Sequence, residues 1–319
     1  MAMEVVRLGW TDMRVSRVGM GAWQFSGDAW GAISYEQAKA VVAKAVDVGI
    51  NFFDTATVYG RGRSEEYLGR AKKELGLRDR IYIATKIHGE WLRRVDILTS
   101  VENQRRRLGV DAIDLYQIHW PACWHNTPIC ETMKTLEELV NKGLVRYIGV
   151  SNFPVQLLDY ARTCLSRTDI VTSQNRYNLV EREADKELLP YLRREGIVLI
   201  AWSPLAKGVL TGKYTPENMP AFEDVRRNDP LFTPHNLKLA WPLVEEIRRL
   251  AAAYGKTPAQ VALNWLVRDP WIYPIPGAKT PEQAVENAGV AGWMLSDDDW
   301  RRVDRLGWEI SQKIIYVNW

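Results

Sequence analysis

Short apolar runs recur along the chain, each followed by a polar loop and then by a stretch in which apolar residues return at helical spacing. A run that is apolar at nearly every position suits a strand buried on both faces, and such strands alternating with amphipathic helices build a parallel sheet. Eight runs have this character: Arg17–Trp23, Ile50–Ala56, Ile81–Lys86, Ile113–His119, Val145–Ser151, Ile170–Gln174, Val198–Ser203 and Ile272–Pro276. The pattern predicts an α/β protein, a single (β/α)8 TIM barrel over residues 1–319 with no domain boundary.

Helix boundaries can be read as well. Ser34 precedes YEQAKAVVAKAVDVG, Thr127-Pro128 precedes ICETMKTLEELVNKG, and Thr257-Pro258 precedes AQVALNWLVRD, each of them a start signal. Gly49 and Gly143 stand where a helix stop belongs. The opening segment EVVRLGWTDMRVSRVGMG reads as an N-terminal β-hairpin plugging the bottom of the barrel, and an extra helix is expected at the C-terminal end. Between Gly208 and Pro234 the rhythm breaks over Pro216, Pro220, Pro230 and Pro234, which suits a functional loop rather than a linker.

A doubly wound open sheet with a dinucleotide fold is the competing architecture. Gly19-Met20-Gly21 follows the start of the first strand, but Gln24 stands where that fingerprint needs its third glycine, and no helix begins there. The same glycines suit a place where backbone passes close under a flat ligand.

Composition narrows the function classes. The 319 residues are 46% hydrophobic and 25% charged, which is globular usage and enough for one large barrel or two ordinary domains. A net charge of +3, with both signs interspersed, gives no nucleic-acid surface. MAMEVVRLGWTDM lacks a signal-peptide core, and no apolar stretch approaches the roughly 20 residues that span a bilayer. A soluble, cytoplasmic protein with no membrane partner is therefore expected. Three cysteines argue against a secreted disulfide framework and read as free thiols, with Cys123 and Cys130 able to pair under oxidation. His119, Cys123, His125 and Cys130 lie close together, but H-x3-C-x-H-x4-C fits no common zinc pattern, and no metal is expected.

Four polar side chains sit at or just past the ends of successive apolar runs: Asp54 and Tyr59 after INFFDTATVYG, Lys86 after IYIATK, and His119 after DAIDLYQIH. In a parallel barrel all the carboxyl ends open on one face, so these four converge on one pocket. A phenol, an ammonium, a carboxylate and an imidazole suit proton transfer to a carbonyl oxygen better than nucleophilic attack. Tyr59 is the expected general acid. Lys86 favours its phenolate, Asp54 keeps Lys86 charged despite burial, and His119 orients the carbonyl or shares in relaying the proton.

These residues and their surroundings resemble the aldo-keto reductase family. GINFFDTATVYGRGRSEEYLG, RIYIATK, DAIDLYQIHWP, LVRYIGVSNF, AWSPLAKGVLTGKY and IPGAKTPEQAVENA each look like the family's corresponding segment, nearest the bacterial and archaeal branch that includes potassium-channel beta subunits. The resemblance implies a nicotinamide cofactor against Gly21, Ala22, Trp23 and Asp54. It implies that Ser151, Asn152 and Gln174 hold the carboxamide and that Trp202 stacks on the ring. Ser203, Leu205, Gly208 and Lys213 resemble the pyrophosphate-gripping loop, with Arg226 against the adenine. Gly277, Lys279, Gln283, Glu286 and Asn287 match the adenosine end at a helix start.

Many relatives carry arginine where Lys279 stands, and others where Gln283 stands. Lysine still offers a 2′-phosphate a point charge, so NADP(H) is expected in preference to NAD(H). Trp23, Trp91, Trp120, Trp124 and Trp319, with Tyr59 and His119, form the expected substrate wall, suited to apolar or aromatic aldehydes and ketones rather than bare sugars. The leading expectation is an NADPH-dependent carbonyl reductase acting on a small-molecule substrate. A nicotinamide-binding sensor or channel-type accessory subunit with little turnover is the alternative. A metal-dependent barrel hydrolase would need more strand-end carboxylates and histidines than the four histidines here allow.

Overall fold

The computed structural model describes residues 3–122 and 127–316. Strands β1 (Val5–Arg7) and β2 (Arg14–Ser16) form the antiparallel hairpin. Eight parallel strands follow in sequential order: β3 (Met20–Gly21), β4 (Phe52–Asp54), β5 (Tyr82–Ile87), β6 (Ile113–Ile118), β7 (Val145–Ser151), β8 (Ile170–Arg176), β9 (Val198–Trp202) and β10 (Ile272–Pro274). The ring closes where the Gly19 and Gly21 amides donate to the Pro274 and Pro276 carbonyls, each at 3.0 Å, and Gly21 bridges to Gly277.

That seam explains the first glycines. A Cβ on Gly19 would stand 3.0 Å from Ile275, Phe52 and Tyr273 side chains, and one on Gly21 would stand 3.0 Å from the Ile275 carbonyl. The Gly-Met-Gly run serves barrel closure, and the open doubly wound sheet is excluded. The first strand is also shorter than expected. Trp23 belongs to a 3-10 turn (Trp23–Ser26) that ends at Gly27 with φ +76°.

Helices α1 (Tyr35–Asp47), α2 (Arg63–Glu74), α3 (Arg94–Leu108), α4 (Ile129–Asn141), α5 (Val155–Thr163) and α6 (Leu188–Glu195) follow the strands in turn. After them come α7 (Pro234–Tyr254), α8 (Pro258–Val267), α9 (Pro281–Ala288) and α10 (Asp297–Ser311). Ser34 and Gln37 make a reciprocal capping box on α1, as Thr257 and Gln260 do on α8. At α4 the cap position falls on Pro128, which offers no side-chain bond. Gly49 (φ +93°) and Gly143 (φ +69°) turn the chain out of α1 and α4.

Two helices stand outside the alternation. The C-terminal α10 was expected, but α7 was not: the irregular stretch after Gly208 ends at Thr233, whose side chain caps this 21-residue helix. Two apolar cores result. The outer one lies between strands and helices, while Phe52, Leu115, Ile200 and Tyr273 fill the barrel with Leu8, Met13 and Val15 from the hairpin, which thereby plugs its amino-terminal end.

The cysteine expectation is corrected. Cys130 is joined to Cys164, not left as a thiol or paired with Cys123, because the first turn of α4 and the end of α5 bring their Cα atoms to 5.0 Å. Cys123, Trp124, His125 and Trp319 lie outside the described residues.

Candidate active site

β4 delivers Asp54 at its last residue, β5 delivers Lys86 one residue before its end, and His119 follows β6. Tyr59 comes from the turn after β4, its amide bonded to the Ala56 carbonyl at 3.1 Å. Lys86 Nζ, wholly buried, lies 2.6 Å from Asp54 Oδ1, 2.9 Å from the Thr55 carbonyl and 3.5 Å from Tyr59 Oη. The Tyr59 and His119 rings meet edge to face with centroids 5.7 Å apart, and Trp23 stacks on Tyr59 at 5.8 Å.

Charge in this cluster is set by burial against pairing. Burial opposes the Lys86 ammonium, but Asp54 and Tyr59 together hold its pKa above the ordinary value. Burial pushes the Tyr59 phenol upward, and the pull of Lys86 in the other direction does not cancel it, so the hydroxyl keeps its proton at neutral pH. Burial, with Lys86 and His88 adding like charge, drives His119 well below its ordinary 6.5. The imidazole is neutral, and its buried Nδ1 has no hydrogen-bond partner among the described residues.

The second oxygen of Asp54 is also occupied. Gln174 Nε2 donates to Oδ2 at 2.9 Å, and Gln117 Nε2 does so at 3.3 Å. Gln117 was missed in the sequence although its spacing carries a signal: two positions before His119 on a strand, it faces the same side.

Around this cluster opens a cleft of about 670 Å³ at the carboxyl ends of the strands. Gly21, Trp23, Asp54, Tyr59, His119, Trp120, Ser151, Asn152, Gln174 and Trp202 line it on the side of the tetrad. Ser203, Leu205, Gly208, Lys213, Arg226, Gly277, Lys279, Gln283, Glu286 and Asn287 line the remainder. Three expected residues lie elsewhere. Ala22 is turned into the core with its amide on the Asp54 carbonyl, Lys86 stands behind Tyr59, and Trp91 is outside the cleft, packed on His88. The lining also includes Gln24, Trp30, Lys207 and Tyr214, which have no periodicity to betray them because they come from irregular loops.

Local backbone supports the cleft. Asn152 takes φ +61°, and from there its amide donates to the His119 carbonyl at 3.1 Å and accepts from Trp202 Nε1 at 3.2 Å. Ser203, Ala206 and Lys207 all have φ near +50°, an unfavourable conformation for side-chain-bearing residues. Lys207 is tied to Asp229 at 2.5 Å, which anchors that strained loop. Across the cleft the Val225 amide donates to the Ala29 carbonyl at 3.0 Å, and Lys279 Nζ donates to the Trp30 carbonyl.

The far end is electropositive. Burial lowers the Lys279 pKa; Asp224 opposes the shift, while Arg226 and Lys213 add to it as like charges. Three cations thus gather around one carboxylate, itself paired with Arg226. Trp30 Nε1 and Gln24 Oε1 are buried there without hydrogen-bond partners among the described residues. Orphaned polar atoms beside clustered cations fit an anionic ligand with polar edges.

Comparison with known proteins gives one family. Residues 17–307 match the model of the Aldo/keto reductase family. Aldo-keto reductase YhdN of Bacillus subtilis (strain 168) is 35% identical, over 95% of this chain and 93% of its own length. The NADH-specific methylglyoxal reductase of Escherichia coli (strain K12) is 33% identical over 93% and 96%. A probable voltage-gated potassium channel subunit beta of Oryza sativa subsp. japonica is 34% identical over 89% and 90%. The structure of the glycerol dehydrogenase AKR11B4 from Gluconobacter oxydans superposes with a TM-score of 0.88 at 33% identity, covering 100% of this chain and 99% of that one. An aldo/keto reductase from Klebsiella pneumoniae in complex with NADP and acetate superposes with a TM-score of 0.76 at 30% identity over 96% and 95%.

Proposed function

The chain belongs to the aldo/keto reductase family, and on that premise we propose that it reduces small aldehydes and ketones to alcohols, using NADP(H) in preference to NAD(H). The observation that carries the reading is the buried line from Asp54 through Lys86 to Tyr59, with neutral His119 facing the phenol. When bound, the dinucleotide supplies the hydride.

The chain's own residues do the rest. Tyr59 Oη, protonated at neutral pH, gives its proton to the carbonyl oxygen as charge develops there, and the Lys86 ammonium steadies the phenolate left behind. Asp54 keeps Lys86 charged and in place. His119, neutral, hydrogen-bonds the same carbonyl oxygen and sets its direction. Trp23, Tyr59 and Trp120 give this end of the cleft an aromatic lining, which favours an apolar or aromatic carbonyl compound.

Ser151, Asn152 and Gln174 would hold the carboxamide, with Trp202 against the ring. The strained loop from Ser203 to Gly208 and Lys213 would hold the pyrophosphate. The preference for NADP(H) rests on Lys213, Arg226 and Lys279 gathered at the far end. An NADH-specific relative exists, so these residues and not family membership are its ground.

Steady-state oxidation of NADPH with a panel of aldehydes tests the reading. Turnover is expected to vanish in Tyr59→Phe while fluorescence titration still shows cofactor binding. Wild-type protein that binds NADPH but turns over no carbonyl would replace this reading with a redox-sensing or accessory subunit.

A further inference from the structure

A second buried carboxylate lies behind the site, on the outer side of β5. Glu65, in the first turn of α2, is wholly enclosed. Its Oε1 accepts from Thr85 Oγ1 at 2.6 Å and from Gln104 Nε2 at 2.7 Å, and its Oε2 accepts from Arg107 Nε at 2.7 Å. Thr85 is the residue before Lys86, and Gln104 also donates to the Lys86 carbonyl at 3.1 Å. On the other side Arg107 Nη2 donates to Thr57 Oγ1 at 3.0 Å, two residues before Tyr59.

We infer that the Glu65–Arg107 pair is a positioning device that sets the spacing between Tyr59 and Lys86. One end grips the strand that carries the ammonium, and the other grips the turn that carries the phenol. The two segments also meet directly, the Thr57 amide donating to the Lys86 carbonyl at 3.3 Å, and the Glu65–Arg107 pair braces that contact through side chains. The seam is built to hold Arg107 there: a Cβ on Gly62, whose φ is +93°, would stand 2.7 Å from Arg107 Nε, and one on Gly69 would meet the Arg107 carbonyl. Gln104 is fixed in turn by Tyr116 Oη at 2.7 Å and Ser100 Oγ at 3.0 Å, so the network has little room to relax.

Such a buried charged pair contributes little net stability against an apolar replacement of the same shape. What it supplies is geometry, because Tyr59 and Lys86 lie only 3.5 Å apart and proton transfer is sensitive to displacements of about 1 Å. The inference rests on the carbonyl-reductase reading above, in which Tyr59 is the acid.

The test compares Glu65→Gln and Thr57→Val with wild type and Tyr59→Phe. Four quantities are measured: kcat over pH in the reducing direction, KM for the aldehyde, the NADPH dissociation constant by fluorescence, and the melting temperature. Glu65→Gln is expected to lower kcat about tenfold to a hundredfold. Cofactor affinity should hold within about twofold, and the alkaline limb should move to higher pH as Lys86 loses its grip on the phenol. Thr57→Val, which keeps the Glu65–Arg107 bond, should shift the same limb by less and melt near wild type.

An unmoved alkaline limb in folded Glu65→Gln, with kcat falling only in step with melting temperature, overturns the inference in favour of a structural role. If Glu65→Gln does not fold, Thr57→Val decides by the same criterion. Full turnover by Tyr59→Phe overturns the reductase reading itself. Inactive Tyr59→Phe beside unshifted Glu65→Gln and Thr57→Val overturns only the positioning role.

Discussion

The Asp54 carboxylate and the Lys86 ammonium meet at 2.6 Å with both side chains closed to solvent, 2% and 0% exposed. Breaking one half of such a pair leaves an uncompensated charge in the barrel. Lys86→Met is therefore expected to destabilise the protein by about 3–5 kcal/mol, somewhat less to the extent that Gln117 and Gln174 satisfy the remaining carboxylate. The double variant Asp54→Asn/Lys86→Met should be milder than the sum of its parts. Urea unfolding of the three variants checks this, and simple additivity would contradict it.

Alkaline pH should weaken the fold. Lys86 is held above its ordinary 10.5 and Tyr59 above its ordinary 10.0. Above about pH 10 the unfolded chain therefore sheds protons that the folded chain keeps, and stability falls as pH rises. Tyr59→Phe should remove part of that slope in denaturant titrations run from roughly pH 9 to 11.

The acid side depends on His119. Its folded pKa lies well below 6.5, so as pH drops under 6.5 the unfolded state takes a proton that the native imidazole refuses. Stability should decline in that window by up to about 1.4 kcal/mol per unit. His119→Asn should flatten this part of the profile, and an unchanged slope would mean the imidazole is protonated in the native state.

Lys279 separates the two dinucleotides. Lys279→Ala is expected to weaken NADPH binding about tenfold, close to 1.4 kcal/mol, as loss of one hydrogen bond to a charged group implies. NADH binding should change little. Equal losses in paired fluorescence titrations would remove this residue from the phosphate site.

The bridge between Cys130 and Cys164 closes 34 residues of chain. Constraint of the unfolded state over a loop of that length contributes about 2–4 kcal/mol. Cys130→Ser/Cys164→Ser should melt several degrees lower than wild type in the absence of reductant, and a reductant should bring the two together. Superimposable melts before reduction would show that the bridge adds no stability.

Much of this was legible in the chain because it depends on local pattern. Eight near-continuous apolar runs specify strands buried on both faces, and the strands appear in those places, though β3 and β4 are shorter than the apolar runs that mark them. Hydrophobicity continues past the last ladder bond, so it cannot mark a strand end. The start of the long helix α7 is obscured by Pro216, Pro220 and Pro230 in the preceding stretch and Pro234 at its own first position, and Pro242 inside it interrupts the periodic signal. Trp91 was misplaced for another reason: a tryptophan in a loop carries no register, and its side is decided by the path of the loop.

The sequence by itself determined the β/α alternation, the caps at Ser34 and Thr257, and the strand ends at which Asp54, Lys86 and His119 would stand, since these follow from spacing along one segment. Tertiary structure decided what spacing cannot encode. It joined Cys130 to Cys164 across two helices, brought Lys279 to Trp30 over the cleft, and tied Glu65 through Arg107 to the turn bearing Tyr59. Each of these is a contact between residues distant in the chain, and its energy exists only once the barrel has closed.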